Sequence, residues 1–462
     1  VFVNRTRELA DLAAWWDRPQ ARPALVWGRR RVGKTALIQE FTRGRRVVFH
    51  TGAGRSAVGE LVQVSRQVVA AGLTGLRDLR RRPYTDWDDV LEHLAEAARD
   101  EPLLLIFDEF PELERTSPEL PGVIRSFLDR TAGHTKLRLL LCGSAVRSML
   151  AMQEERAPLF GRFDLRLQVH PFEPWEAALL LPDLPAVELA TVYGLLGGMP
   201  LYLSWWDAAA DLRQNLSRLV CRPGAPLLTE GDLVLATEAE PGEQPAAVLH
   251  AIANGRTRHN EIKDWVRTEP SRTLERLTNL RLVERVVPVT EDLARSRRRI
   301  YRIADNFLAF YLGLVGRYRA EIDRGLGESI LPVLLQSLDD HLGHPWEEAV
   351  RAHVRRECAT GRLATDVVAV GPWWSGEGQD EIDLLALAGR ARQPVLAGEA
   401  KWARTVDASR LAADLRRKVS GLGADPDSLR YLVAARESAR NTPDGMIVVT
   451  AAEVFAPAVD LS

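Results

Sequence analysis

Lysine is nearly missing from this chain. Of its 61 basic residues, 56 are arginine and five are lysine: Lys34, Lys136, Lys263, Lys401 and Lys418. Arginine is a wide, permanently charged fork, whereas lysine is a compact point charge with a movable pKa. A lysine kept against such a bias therefore marks a place where a point charge serves and a fork does not. Cysteine is scarce too. Cys142, Cys221 and Cys358 lie far apart with no CxxC pair, which excludes a zinc ribbon or a disulfide framework and fits a reducing compartment. Long apolar runs are lacking: the most apolar stretch, 177–203, is broken by Pro, Asp and Glu before the ~18 residues that a membrane span needs. No N-terminal stretch has the layered pattern of a signal peptide, although the first residue is Val rather than Met. The expected compartment is cytoplasmic, with no membrane partner. A formal charge of −2 excludes a uniformly basic nucleic-acid binder and leaves room for a local basic surface.

The 462 residues, 46% apolar and 27% charged, suffice for about three globular domains. The first ~170 alternate apolar runs (ALVWG, VVFHT, LLLIFDE, LRLLLCGS) with amphipathic segments such as DWDDVLEHLAEAARD, the pattern of a parallel α/β sheet. A helical region follows to about 237, and EAEPGEQPAA (238–247) has the composition of a linker. Residues 246–305 give three helices and two β-like runs, and the last ~130 return to mixed α/β. The expected domains are 1–170, 171–237, 238–320 and 325–462.

GRRRVGKT follows the strand ALVW and precedes the helical ALIQEF, the context that a phosphate-binding loop requires. Gly28 and Gly33 let the loop close on phosphate oxygens, with Arg29, Arg30, Arg31, Val32 and Ala36 supplying further backbone around them. Lys34 is placed for the β- and γ-phosphates, and Thr35 for Mg²⁺. In LLLIFDEF the strand ends on Asp108, a second candidate for the Mg²⁺ shell, and Glu109 is the candidate base for the attacking water; the alternative is an acidic strand end. Ser144 is either a polar sensor beside the γ-phosphate or a strand-end cap. Arg162 is either a phosphate-sensing arginine or a solvated one. The implied ligands are ATP, ADP and Mg²⁺.

Two further regions carry chemistry. AVLHAIANGRTRHNEIKDWV and SRTLERLTNLRLVERVVPVT have a helix–turn–helix rhythm followed by a hairpin, with Arg272, Arg276 and Arg281 near the third helix and ARSRRR in the wing. That layout suits DNA, or an internal lever that senses nucleotide. Further on, IDLLALAG and PVLAGEAK form a hairpin in which a turn centred on Ala391 puts Asp383 opposite Glu399. Lys401 shares their face, since residues two apart in a strand point the same way. Facing carboxylates repel, which makes sense if a divalent cation, Mg²⁺ or Mn²⁺, bridges them. Glu347, or its neighbour Glu348, would complete the set from a preceding helix.

FVNRTREL, GRRRVGKT, LLLIFDEF, LLLCGS, PLFGR and GGMP together resemble the archaeal-type ATPases, a P-loop family in the STAND branch of AAA+-like proteins. That resemblance implies a nucleotide-linked place for Arg5 and for the Gly197–Gly198–Pro200 turn, a helical lid, a winged helix, and a C-terminal domain of unknown function. D…ExK with an upstream helical Glu resembles the PD-(D/E)XK nucleases and implies a restriction-endonuclease-like fold. Together these give a multidomain α/β chain: an ATP-hydrolysing switch coupled to a nucleic-acid-acting domain. DNA and a nucleotide-dependent oligomer are the candidate partners. The alternative is a regulatory ATPase or transcription regulator whose C-terminal domain binds without cleaving.

Overall fold

Five short apolar runs become the strands of one parallel sheet: β1 (Ala24–Trp27), β2 (Val47–Thr51), β3 (Leu103–Asp108), β4 (Leu137–Gly143) and β5 (Leu165–Gln168), in the order β2-β3-β4-β1-β5. The structure is a computed structural model and describes residues 2–131, 134–237, 243–376 and 378–457. These strands belong to the first of two compact units, Val1–Pro171 and Phe172–Ser462. Every residue of β3 (LLLIFD) and β4 (LRLLLCG) is buried, as expected of central strands covered on both faces. Edge strand β2 instead alternates half-buried and buried positions and ends on exposed Thr51. Trp87, Phe107, Phe110 and Phe127 fill one side of the sheet with Leu, Ile and Val, and the Trp87–Ala97 helix that presents Trp87 is capped by Asp86. Because the strands are parallel, the segments that leave β1, β3 and β4 emerge at one edge. Lys34, Asp108 and Ser144 are brought together there.

The second unit begins with short helices, among them Ala186–Leu196 and Pro226–Thr237. The linker expected over 238–247 lies outside the described residues as far as 242, and the chain is helical from Glu243. Helices Glu243–Ala253, His259–Val266 and Ser271–Asn279 are followed by an antiparallel ribbon, β6 (Val283–Val286) with β7 (Ile300–Ile303).

One helix, Gly327–Ala359, runs through Pro332 and Pro345. Its buried Leu331, Leu334, Leu338 and Leu342 explain the length. An apolar stripe at three- and four-residue spacing continues past each proline, and its packing outweighs the lost backbone hydrogen bonds.

The chain ends in a mixed sheet ordered β14-β12-β10-β9-β8. It comprises β8 (Val367–Trp374), β9 (Glu381–Ala388), β10 (Gln393–Ala400), β12 (Arg430–Ala434) and β14 (Ile447–Val449), with β11 (Thr405–Asp407) and β13 (Ser438–Arg440) as a separate pair. The Ala408–Leu422 helix covers one face through Leu415 and Val419, which meet Ile382, Leu385 and Ala397. No helix among the described residues is long and apolar enough to cross a membrane.

Candidate functional site

The loop after β1 closes tightly for steric reasons. A Cβ on Gly28 would lie 2.4 Å from the Val169 carbonyl oxygen, and Gly33 caps the Lys34–Thr42 helix at φ 94°, a region that side chains avoid. Val32 is buried, and its carbonyl accepts from buried Arg5 at 2.9 Å. The same Arg5 nitrogen reaches the His170 carbonyl at 2.8 Å, and Arg5 pairs with Glu8. Arg5 thus braces the loop from behind. Lys34 Nζ donates to the carbonyls of Gly28 and Arg29, both at 2.9 Å, so the ammonium is held inside the loop's own curl.

Thr35 Oγ1 donates to Asp108 Oδ2 at 3.2 Å across the sheet edge. A hydroxyl and a carboxylate meeting beside a phosphate loop form a donor set that fits Mg²⁺. Burial raises the Asp108 pKa, against hydrogen bonds from Cys142, the Glu109 amide and Thr35 that favour the charged form. Glu109 adopts a left-handed backbone (φ 48°), and its Oε2 accepts from the Ser144 hydroxyl at 2.9 Å and the Ser144 amide at 3.2 Å. Ser144 thus touches the candidate base directly.

Arg162 does not join this group. Its guanidinium chelates Asp129, at 3.1 and 3.0 Å, on the Leu120–Thr131 helix, so the structure gives it the bland alternative, a surface ion pair. Pro200 starts a short helix in the second unit, after Gly198 accepts from the Phe172 amide at 2.7 Å; that bond gives the GGMP turn a structural reason within its own unit.

In the C-terminal sheet, β9 and β10 pair as far as Gly398 opposite Leu384, a register that one more residue would extend to Glu399 opposite Asp383. Both carboxylates are buried. Lys401 Nζ lies 2.9 Å from Asp383 Oδ2 and 2.6 Å from Glu399 Oε2, and the Ala400 amide donates to Asp383 Oδ2 at 3.0 Å. Lys418, from the Ala408–Leu422 helix, donates to Glu399 Oε1 at 2.6 Å and pairs with Asp414 at 2.9 Å. Nothing in the local sequence singled Lys418 out; the lysine scarcity was the available signal.

Electrostatics follow from this crowding. Burial and then the neighbouring Asp383 push Glu399 up to about 7. Asp383 is held below its ordinary value because Lys401, with the amide and side-chain hydrogen bonds, outweighs its burial. Lys401 is likewise raised, its two carboxylates overriding desolvation. It is a firmly charged cation, not a base.

Glu347 is not gathered into the pair. Arg351 Nη1 stands 3.6 Å from Glu347 and donates to the Asp383 backbone carbonyl at 2.8 Å. Glu348 is bound by Arg351 at 2.8 Å and also by Arg355. The expected helical acid is therefore answered by a buried arginine on its own helix, and neither acid completes a cluster. Among the described residues no group of three or more His, Cys, Asp and Glu side chains is arranged to hold a metal ion.

Comparisons with known proteins bear on the domains that hold these sites. Residues 2–205 match a family model described as an ATPase domain predominantly from Archaea, and residues 311–412 match one described as archaeal and bacterial proteins of unknown function. An uncharacterized protein of Methanocaldococcus jannaschii is 24% identical over 449 residues, 95% of this chain and 96% of that one. An uncharacterized ATP-binding protein of the same organism is 43% identical over 47 residues, 10% of this chain and 80% of that one. A solved Walker-type ATPase of Pyrococcus abyssi shares the fold, with a TM-score of 0.52 at 21% identity, covering 67% of this chain and 96% of that one. The chain thus carries an archaeal-type ATPase domain at residues 2–205 and, at 311–412, a domain shared with archaeal and bacterial proteins of unknown function.

Proposed function

We propose that this protein is an ATP-hydrolysing switch whose nucleotide state governs a nucleic-acid-acting site in its C-terminal sheet, with the three helices and the β6–β7 ribbon serving as a winged helix between them in sequence. The observation that carries the switch is the meeting of Lys34, Thr35, Asp108, Glu109 and Ser144 at one sheet edge. Loop amides and Lys34 would bind the phosphates as fixed positive dipoles and a point charge. Thr35 and Asp108 would hold Mg²⁺, which when bound neutralises charge on the β- and γ-phosphates. Glu109 would take the proton of the attacking water while Ser144 fixes the carboxylate's direction. In the Lys34→Ala variant, ATP affinity measured by titration calorimetry falls at least tenfold; unchanged affinity refutes the site.

At the C-terminal site, replacing the Lys401 ammonium with a divalent cation would give that ion one oxygen each from Asp383 and Glu399, leaving its other positions to water or substrate. A single Mg²⁺ or Mn²⁺ fits that pair, and its chemistry there would be polarisation of a phosphodiester. Lys401, which remains protonated, would stabilise developing negative charge. Incubating the full chain with plasmid DNA and Mn²⁺, with and without ATP, tests this. Nicking that disappears in Asp383→Ala and Lys401→Ala supports a nuclease. Intact plasmid favours the second reading, a binding module without catalysis, which draws support from the two lysines already engaging both acids.

A further inference from the structure

The second unit contains a cleft of about 900 Å³ whose walls come from four separate places: the start of the His259–Val266 helix, the Ser271–Asn279 helix, the β6–β7 ribbon and the end of β8. Five arginines line it, Arg258, Arg285, Arg297, Arg298 and Arg299, against one acid, Glu275. In a chain of net charge −2, that is a concentrated positive field inside a concave, partly low-dielectric wall, which focuses attraction on an anion. The arginines expected to face DNA, Arg272, Arg276 and Arg281, do not line this cleft.

The arginines divide by employment. Arg298 is engaged by the protein: it pairs with Glu291 and donates to the Trp374 carbonyl at 2.6 Å, tying the ribbon to the end of β8. Arg299 spends its Nε on the Ser296 carbonyl at 3.1 Å. Arg285 is different, because its Nε is buried and meets no hydrogen-bond partner among the described residues. A buried guanidinium N–H left without an acceptor carries a desolvation cost, and the same side chain lines the cleft. Arg297 is exposed. Beside these donors stand the aromatic Trp374 and the amide side chains of Asn260 and Asn279.

We infer that this cleft binds a short single-stranded nucleic-acid segment, with its phosphates on Arg285, Arg297 and Arg258 and a base against Trp374. Guanidinium groups follow a phosphodiester backbone, and an aromatic side chain stacks on any base without sequence preference. The cavity lies near the top of the ~300–1,000 Å³ range of small-ligand sites: ample for a few nucleotides, too small to admit a duplex. The inference takes only its partner class from the nucleic-acid reading above and requires no cleavage.

The test is fluorescence anisotropy of the full chain with a labelled ten-nucleotide oligo(dT), a duplex of the same length, and inorganic tripolyphosphate as competitor. Oligo(dT) binds more tightly than the duplex. Arg297→Ala and Trp374→Leu each weaken it by roughly fivefold or more, and Arg297→Ala lowers the salt slope by about 0.7. Arg297 is exposed, so its variant retains the fold, and circular dichroism verifies that for both. Arg285→Ala gives the larger loss. Equal affinity for the duplex overturns the proposal, as does displacement by tripolyphosphate at equal charge concentration, or unaltered binding in the variants. Binding that survives these variants and is lost in Lys401→Ala places the strand at the carboxylate pair instead. Absence of any binding overturns the cleft whatever the plasmid assay shows, whereas cleft binding with intact plasmid leaves the cleft standing and removes only the nuclease.

Discussion

Lys401 Nζ lies 2.9 Å from Asp383 Oδ2 and 2.6 Å from Glu399 Oε2, one ammonium bridging two buried carboxylates on neighbouring strands. In Lys401→Met that bridging cation is lost, and the acids are left with only Lys418 and backbone donors to offset their repulsion. Removing one partner of a buried ion pair costs ~3–5 kcal/mol. Lys401 is 44% exposed, so screening reduces the expected loss to about 1–2 kcal/mol at pH 8. At pH 5 the loss is smaller, since Glu399 can carry a proton and end the repulsion. Urea denaturation of both proteins at the two pH values measures this. Equal losses would show that the carboxylates do not communicate.

Glu399 sets a second pH dependence in the unaltered protein. Its folded pKa, about 7, lies above its ordinary value of 4.5, so the folded state binds its proton more tightly than the unfolded state. The stability contributed is fully present below pH 4.5 and is lost as pH rises through 7. Glu399→Gln cannot titrate, and its melting temperature should therefore fall less between pH 5 and 8 than that of the parent. Parallel melting profiles across that window would place the proton elsewhere.

This pair also shows how far the sequence could be read. A turn centred on Ala391 predicted Asp383 opposite Glu399, and the register that ends at Gly398–Leu384 agrees. The turn itself is offset: Gln393 pairs with Ala388, and an irregularity between Pro394 and Leu396 restores the alignment. Period-two alternation was visible in the residues; the compensating bulge was not. Buried β3 and β4 were legible as continuous apolar runs, and the phosphate loop as a motif with its flanking strand and helix. Lys418 was not, because it reaches Glu399 from a helix 19 residues on, and only folding creates that proximity. Arg351 hid for a related reason: an arginine one turn after a glutamate looks like a surface pair, yet this one is 1% exposed and reaches the Asp383 carbonyl.

Gly28 should not tolerate a methyl group. Its Cβ would meet the Val169 carbonyl at 2.4 Å and Val32 Cγ1 at 3.2 Å, both packed against the loop that holds Lys34. Overpacking of this kind costs roughly 1–3 kcal/mol. Gly28→Ala is expected to lower the melting temperature and to weaken ATP binding at least fivefold, because the loop must move to relieve the contact. Wild-type affinity and stability together would mean that the loop is looser than its packing suggests.

Arg162 gives a prediction of the opposite sign. Its partner Asp129 is 57% exposed and Arg162 itself 31%, so the pair is worth at most about 1 kcal/mol. Arg162→Ala should leave ATP affinity within twofold of the parent in dilute protein. A tenfold loss would restore this residue to the nucleotide site.

Glu109 separates binding from hydrolysis. Its carboxylate lies one residue beyond Asp108 and is aimed by the Ser144 hydroxyl and amide, whereas the phosphates would be held by Lys34 and the loop amides. Glu109→Gln keeps the shape and the hydrogen bonds from Ser144 but cannot accept a proton. It should bind ATP as the parent does and hydrolyse it at least 100-fold more slowly, the usual scale for loss of a general base. Ser144→Ala leaves the carboxylate and removes its strongest tether, so a smaller drop in turnover, again with affinity intact, is expected. Phosphate release under saturating ATP, alongside calorimetric affinities, resolves the two effects. Turnover in Glu109→Gln within threefold of the parent would move the base to another residue and leave Ser144 as a strand-end cap.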